Sequence, residues 1–474
     1  MTVEYDLIVI GGSRAGIYAA IAAAHLKARV ALVENEQLQT NWLGYGAIYT
    51  QAMAQVGRIA QQVHHAPEFG VYPQMTDLAP RRQFPSIHLT EAMQWAQAVA
   101  DTYSEQNSSP VLASLGVDVI RGSGEFCRRP HLGFVVNDRR LRARAYLIAT
   151  SSRPRIPDIE GLQTIEYFTP ADIWQEGFKE ELPAKSSSQP AWVVIGGGPI
   201  GTQLAQTLGR LKCDVTLVVK TPHILPKEEK EASLLVQAQL EAEGIRILTE
   251  SPVTQVRQIE DKKWVQAGNR AIEADQILLA TGQQPNIESL NLAGVGVKSH
   301  LGGLELNKKL QTTNPRIYGC GDVVGGLRQA HIAEYEARIA LKNALFAPFF
   351  QVDYCGIPGA ILCDPQLARV GLTEEQARGC YGKDVFVVRQ YFKTLDKAQL
   401  WGETTGFCKI VGRYNGEILG AAIVGPEATE LIGAIALAIR QKIQVNAIAN
   451  LPHVSPTLSE IIYQTAGEWQ RGRN

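Results

Sequence analysis

The sequence predicts an α/β protein made of two parallel-sheet halves of like design, closed by an α+β segment toward the C-terminal end. Three observations predict it. Two glycine-rich turns, GGSRAG from Gly11 and GGGPIG from Gly196, each follow a short apolar run and open a helical pattern. Two later runs, YLIATSS and QILLATGQQP, each end in Ala-Thr and fall at corresponding places in the two halves. Beyond about Val352 the pattern changes to strands arranged around the turn dipeptide Asn415-Gly416.

Each element follows from its residues. YDLIVIG, from Tyr5, reads as a buried strand running into the first turn; IYAAIAAAHLKA is the helix and RVALVE the next strand. Strand, glycine turn, helix and strand make a βαβ unit of the parallel type. Residues 64–88 are Pro-rich and aperiodic, which reads as a surface excursion between two helices. The polar run KSSSQP, residues 185–190, marks a domain junction. AWVVIGGGPIG, TQLAQTLGRLK and DVTLVVK then repeat the first unit. GFCKIVGRY and EILGAAIVG pair as a hairpin, and ELIGAIALAIRQ follows as a helix.

A length of 474 residues suits about three domains. With 45% hydrophobic and 20% charged residues the composition is globular, and a net charge of −1 gives no electrostatic footing for nucleic acid or a membrane surface. The longest apolar runs are strand length, short of the roughly 20 residues a membrane helix takes. No basic leader precedes the first strand, so no signal peptide is expected. The seven cysteines, at 127, 213, 320, 355, 363, 380 and 408, have no CxxC or metal-type spacing. They suit reduced thiols in a cytoplasmic compartment and no metal site.

The glycine turns carry the chemistry. A dinucleotide turn uses small residues to make the bend, to let backbone approach a pyrophosphate and to pack helix on strand. The pyrophosphate then meets the free amides and positive dipole of the helix start. In the first turn these places are Gly11, Ser13 and Gly16, and Glu34 ends the following strand where a carboxylate can hold a ribose. Ser13 departs from glycine, so its Cβ is expected to crowd the approach, while Arg14 is expected to add a nearby positive charge. The second turn is intact at Gly196, Gly198 and Gly201. Its strand ends not in an acid but in Val219 and Lys220, with His223 close by. A missing carboxylate beside a cation favours NADP(H) over NAD(H), against the alternative of a merely solvated lysine.

With both turns placed, nearly the whole chain resembles the pyridine nucleotide–disulfide oxidoreductase family. The resemblance rests on GVDVIRGSGEF, ATSSRPRIP, LLATGQQPN, IYGCGDVVG, AHIAEYEA, CDPQLARVGLTEEQA and HVSPTLSE, together with the two turns. It implies two Rossmann-like dinucleotide-binding domains and a C-terminal α+β dimerisation domain. The first, binding FAD, spans 1–160 and 276–347; the second, binding NAD(P), spans 161–275; the homodimer interface spans 348–474. It implies FAD contacts from Asp322, toward the ribitol, and from Gly122 and Ala330 through backbone. Gly12, Thr150 and Gln51 join the FAD set, and Gln203 and Gly282 the NAD(P) set.

The chain departs from that family where thiols do the work. In TNWLGYGAIYTQ the places of the two redox cysteines hold Trp42 and Ala47. The lysine that the family pairs with a glutamate beside the flavin is Gln51, and the glutamate is Gln203. Losing one half of such a pair would strand a charge at about 3–5 kcal/mol, so the double change looks adapted. In HVSPTLSE the catalytic histidine is Ser455, while Pro456, Thr457 and Glu460 remain; His453 matches an outer histidine and reads as a polar residue of the dimer seam. A dithiol relay is excluded at this strip. Trp42 and Tyr45 are expected to stack on the flavin or to fill the space left by the disulfide. Cys320 reads as packing. The expected function is a FAD-dependent NAD(P)H oxidoreductase of non-thiol type, with a quinone, a second pyridine nucleotide or a similar acceptor. The alternative is a flavin-binding protein retired from turnover that serves as a redox or light sensor or as a protein partner.

Overall fold

The structure, a computed structural model, describes residues 3–35, 47–72, 87–178 and 189–472. The first apolar runs assemble as an all-parallel sheet of five strands in the order Ile317–Gly319, Ala143–Ile148, Tyr5–Ile10, Val30–Glu34, Val117–Arg121. Leu7, Ile8 and Val9 on the central strand are fully buried, so both faces of the sheet are covered. One face carries the helices Arg14–His25 and Ala330–Leu345, whose alanines, Ala19 and Ala23 against Ala337 and Ala340, permit close packing. The other carries an antiparallel ribbon, Gly124–Cys127, Gly133–Val136 and Arg139–Leu141, where Phe126 meets Phe134 and Tyr146 edge to face at 5.2 and 5.5 Å.

The second half repeats the design with four parallel strands, Arg246–Leu248, Asp214–Val218, Ala191–Ile195 and Gln276–Leu279. This corrects the boundary expected at residue 275. Gln276–Leu279 pairs with Ala191–Ile195, so it belongs to the second sheet, and the chain returns to the first half only after it. The pairing of Ser152–Pro154 with Gln283–Pro285 bridges the two crossings between the halves. Residues 185–188 of the expected junction and 73–86 of the expected excursion lie outside the described residues.

The C-terminal part is an antiparallel sheet in the order Gly359–Ile361, Gln366–Gly371, Ile418–Gly425, Phe407–Gly412, Phe386–Tyr391. The hairpin turns at Asn415-Gly416, where Gly416 takes φ +95° and Asn415 Oδ1 accepts from the Glu417 amide at 3.0 Å. Helices Ala428–Arg440 and Glu460–Arg471 cover one face through Ile432, Ile435, Ile461 and Ile462. A single apolar core spans all three parts. It joins Tyr49 and Met53 of the helix Ala47–His65, Leu204 and Leu208 of the helix Pro199–Arg210, and Ile361 and Val424 of the C-terminal sheet.

Candidate functional site

The first turn is held by packing that only glycine allows. Gly11 sits at φ +109°, and a Cβ there would lie 2.4 Å from the Ala149 carbonyl oxygen; a Cβ on Gly16 would lie 2.0 Å from that of Gly11. Ser13 has extended backbone, φ −69° and ψ 167°, and acts as the N-cap, its Oγ accepting from the Gly16 amide at 3.3 Å. The serine that replaces glycine therefore has a local task. The positive charge expected from Arg14 is paired. Its Nε lies 2.6 Å from Glu334 Oε1, with Tyr103 beneath the guanidinium at 5.7 Å.

Glu34 is buried at the strand end, and a Cβ on Gly12 would lie 2.7 Å from its Oε1. Its carbonyl accepts from the Gly122 amide at 2.8 Å. Gly11, Gly12, Ser13, Glu34, Gly122 and Thr150 all line one cavity of about 340 Å³. The far wall was not foreseen in the sequence. It comes from Tyr103, Asn107, Ser108 and Ser109, where the helix Leu89–Gln106 breaks, and from Arg121, which donates to Ser109 Oγ at 3.1 Å. The run NSSP was the available signal, since it both ends a helix and clusters hydroxyls.

Asp322 is buried next to Ser151, which lines the same cavity. Ser152 Oγ donates to its Oδ2 at 2.5 Å and Ser151 Oγ at 3.5 Å. Burial raises its pKa, opposed more weakly by the serines and by Arg328. Thr150 and Asn286 lock the neighbouring crossing, Thr150 Oγ1 donating to the Asn286 carbonyl at 2.5 Å and Asn286 Nδ2 to that of Thr150 at 3.1 Å. Ala330 opens its helix behind Gln329, which makes no side-chain cap, so the first-turn amides stay available. Glu336, one turn further, accepts from the Gly321 amide at 2.8 Å and from Tyr354 Oη at 2.7 Å. Burial lifts its pKa to about 7.

The second turn copies the first, apart from its cap and the residue that ends its strand. Gly196 takes φ +119° with a Cβ position 2.4 Å from the Ala280 carbonyl, and a Cβ on Gly201 would lie 1.9 Å from that of Gly196. Gly198 has open space around its Cβ position and caps the helix without a side chain. A Cβ on Gly197 would lie 2.8 Å from Val219, as one on Gly12 would from Glu34. Val219 thus occupies the place of the acid, buried, with Lys220 exposed beside it. His223 Nδ1 is 2.7 Å from the Ile224 carbonyl. Gly282, at φ +109°, accepts from the Arg155 amide at 2.9 Å.

Gln51 and Gln203 line one cavity of about 100 Å³ with Arg58, Gln206, Arg210 and Asp364, where the three parts of the chain meet. Gln203 Nε2 is buried with no hydrogen-bond partner among the described residues. Ala47 is the first residue of the helix that carries Gln51. Trp42 and Tyr45, and whatever they stack on, lie outside the described residues. Ser455 is exposed. Glu460 is committed locally: Oε1 accepts from the Thr457 amide at 2.8 Å, and Oε2 lies 3.8 Å from His453 Nε2. His453 stacks on Tyr463 at 4.7 Å. All seven cysteines are free. Burial pushes the thiols of Cys213, Cys363 and Cys408 up to about 12, and that of Cys320 well above its ordinary value. Among the described residues no group of His, Cys, Asp or Glu could hold a metal ion, and no helix is long and apolar enough to cross a membrane.

The family model described as pyridine nucleotide-disulphide oxidoreductase matches residues 5–337, and that of the family's dimerisation domain matches residues 357–466. A dihydrolipoyl dehydrogenase of Chlamydia pneumoniae is 30% identical over 467 residues, covering 97% of this chain and 96% of its own. A mercuric reductase of Staphylococcus aureus is 30% identical over 447 residues, covering 92% and 77%. Among solved structures, LpdA from Mycobacterium tuberculosis superposes with a TM-score of 0.84 at 24% identity, covering 98% of this chain and 99% of its own. The HOCl-induced flavoprotein disulfide reductase RclA from Escherichia coli does so at 0.81 and 23%, with coverage of 98% and 99%. At these identities the two structures speak to the fold alone.

Proposed function

The chain belongs to the pyridine nucleotide-disulphide oxidoreductase family, whose members bind FAD and a pyridine nucleotide, and we propose that it carries hydride from NADPH through FAD to an acceptor that is not a disulfide. One observation carries the reading. Both glycine turns have the close backbone packing that a dinucleotide cradle uses, while positions 42, 47 and 455 hold Trp, Ala and Ser.

The residues present fit the two groups. Gly11, Gly12 and Gly16 form a turn that a Cβ would fill, and Glu34 ends its strand beside it. With Gly122, Thr150, Asp322 and the helix start at Ala330 they would hold FAD. Asp322, whose Oδ2 takes both serine hydroxyls, has Oδ1 as a further acceptor, suited to a polyhydroxyl chain. Gly196, Gly198 and Gly201 would hold the pyrophosphate of the nucleotide, and Lys220 a 2′-phosphate. The bound flavin supplies two-electron chemistry that no side chain can. The polypeptide contributes position and charge. Gln51 and Gln203 offer neutral amides, with Gln203 Nε2 as a buried donor awaiting an acceptor. Ser455 holds its proton near neutral pH, so nothing at that place can act as a thiol base. Four of the remaining cysteines are buried and protonated, which removes them as nucleophiles. The match of residues 357–466 to a dimerisation domain supports a homodimer.

An anaerobic titration tests this. NADPH should bleach the bound flavin within seconds, and a quinone or an oxidised nicotinamide analogue should restore its colour. Failure of both NADPH and NADH to bleach it would leave the retired flavin-binder instead. Turnover of lipoamide by the natural chain would sink the non-thiol assignment.

A further inference from the structure

Lys409, on the strand Phe407–Gly412, is 1% exposed, yet its Nζ lies 3.0 Å from Glu229 Oε2, 2.8 Å from Glu231 Oε1 and 2.7 Å from Glu374 Oε2. Burial pushes its pKa down, but the three carboxylates outweigh burial and hold it above its ordinary value, so the cation is permanent. The carboxylates are themselves tied. Glu229 Oε1 accepts from the Glu374 amide at 2.6 Å, Arg389 pairs with Glu231, and Arg378 Nε meets Glu374 Oε1 at 2.8 Å. Beside them Arg369 Nε lies 2.7 Å from Glu228 Oε2. Glu228, Glu229 and Glu231 come from the second dinucleotide half; the four cations and Glu374 come from the C-terminal part.

Glu229 has a position of consequence. It precedes the helix Lys230–Ala242, its carbonyl accepting from the Ser233 amide at 2.9 Å, and it ends the loop that leaves the strand Asp214–Val218. That loop carries Val219, Lys220 and His223. Its middle is pinned to the second glycine turn: the Leu225 amide donates to the Gly197 carbonyl at 2.7 Å, and Ser233 Oγ to the Leu225 carbonyl at 2.9 Å. The loop is tied at its start as well, where the Ser251 amide donates to the Val219 carbonyl and the Glu250 amide to that of Thr221, each at 3.0 Å; beyond Leu225 its anchor is the buried lysine, through Glu229.

We infer that Lys409 is a positioning residue for the pyridine nucleotide. Through Glu229 the C-terminal part sets the wall of the second cradle on which the adenosine ribose and its 2′ substituent lie. This rests on the reading of the second turn as the nucleotide site.

The test is calorimetric titration of the FAD-loaded protein with adenosine 2′,5′-bisphosphate and with 5′-AMP, for the natural chain and for Lys409→Met, Lys409→Arg and Glu229→Gln. Lys409→Met and Glu229→Gln should bind the bisphosphate at least tenfold more weakly with flavin content unchanged. Lys409→Arg, which keeps the charge, should stay within threefold. If Lys409→Met does not fold, Glu229→Gln carries the comparison, since Lys409 then keeps two carboxylates. A variant that melts lower yet binds within twofold of the natural chain would reduce the cluster to domain glue and overturn the inference. Equal losses in Lys409→Arg and Lys409→Met would also overturn it. A natural chain that binds 5′-AMP but not the bisphosphate removes only the 2′-phosphate, and the variants are then judged on 5′-AMP. Binding of neither fragment removes the nucleotide site and the inference with it.

Discussion

Ser13 Oγ caps the Gly16 amide at 3.3 Å, so the residue that departs from the glycine pattern of the first turn stabilises the helix it opens. Ser13→Ala should cost about 1 kcal/mol in denaturant unfolding, whereas Ser13→Gly should cost only about a few tenths. Ser13→Gly also clears the approach to the turn. Its affinity for FAD, read by fluorescence titration of the apoprotein, should equal or exceed that of the natural chain.

The two turns should separate cleanly under mutation. Gly201→Ala drives a Cβ to 1.9 Å from the Gly196 carbonyl and should abolish NADPH binding while the yellow colour persists. Gly16→Ala, with its clash at 2.0 Å, should lose flavin instead. Gly198→Ala meets nothing in the protein, so it should cost only the roughly 0.5–1 kcal/mol by which alanine is the poorer N-cap. Its methyl group nonetheless enters the space a pyrophosphate would use, and NADPH affinity should fall about tenfold or more, roughly 1.4 kcal/mol.

Val219 stands to Gly197 as Glu34 stands to Gly12. Val219→Glu combined with Lys220→Ala should restore an acceptor for a 2′-hydroxyl and remove the cation beside a 2′-phosphate. The ratio of kcat/KM for NADPH over NADH should fall at least about tenfold, worth roughly 1.4 kcal/mol. An unchanged ratio would show that Lys220 is a solvated strand-end lysine.

Glu336 should make stability pH-dependent. Its pKa of about 7 in the folded chain lies above the ordinary 4.5, because burial outweighs the Tyr354 and Gly321 hydrogen bonds. The folded state therefore holds the proton more tightly. The contribution is complete below about pH 4.5 and is lost as pH rises through about 7. At about 1.36 kcal/mol per pH unit, the difference is on the order of 3 kcal/mol. Unfolding free energies measured between pH 5 and pH 8 should fall in the natural chain and fall less in Glu336→Gln. Parallel curves would place the titration elsewhere.

Much of this protein is written locally. Positive φ at Gly11 and Gly196, and the close carbonyls over Gly16 and Gly201, are demands made within half a dozen residues, so both turns could be read from their glycines. Residue identity alone was enough to show that Trp42, Ala47 and Ser455 cannot do thiol chemistry. Other features depend on which distant segments dock. Gln276–Leu279 is an apolar run that fits either parallel sheet, and its partner is chosen only on assembly. In sequence Arg14 looks free beside the first turn until Glu334 arrives from 320 positions further along the chain. In GFCKIVG, Lys409 reads as a solvated strand lysine, yet it is buried against Glu229, 180 positions upstream. No local pattern marks such an ion pair, because desolvation and attraction arise only when two domains close over it.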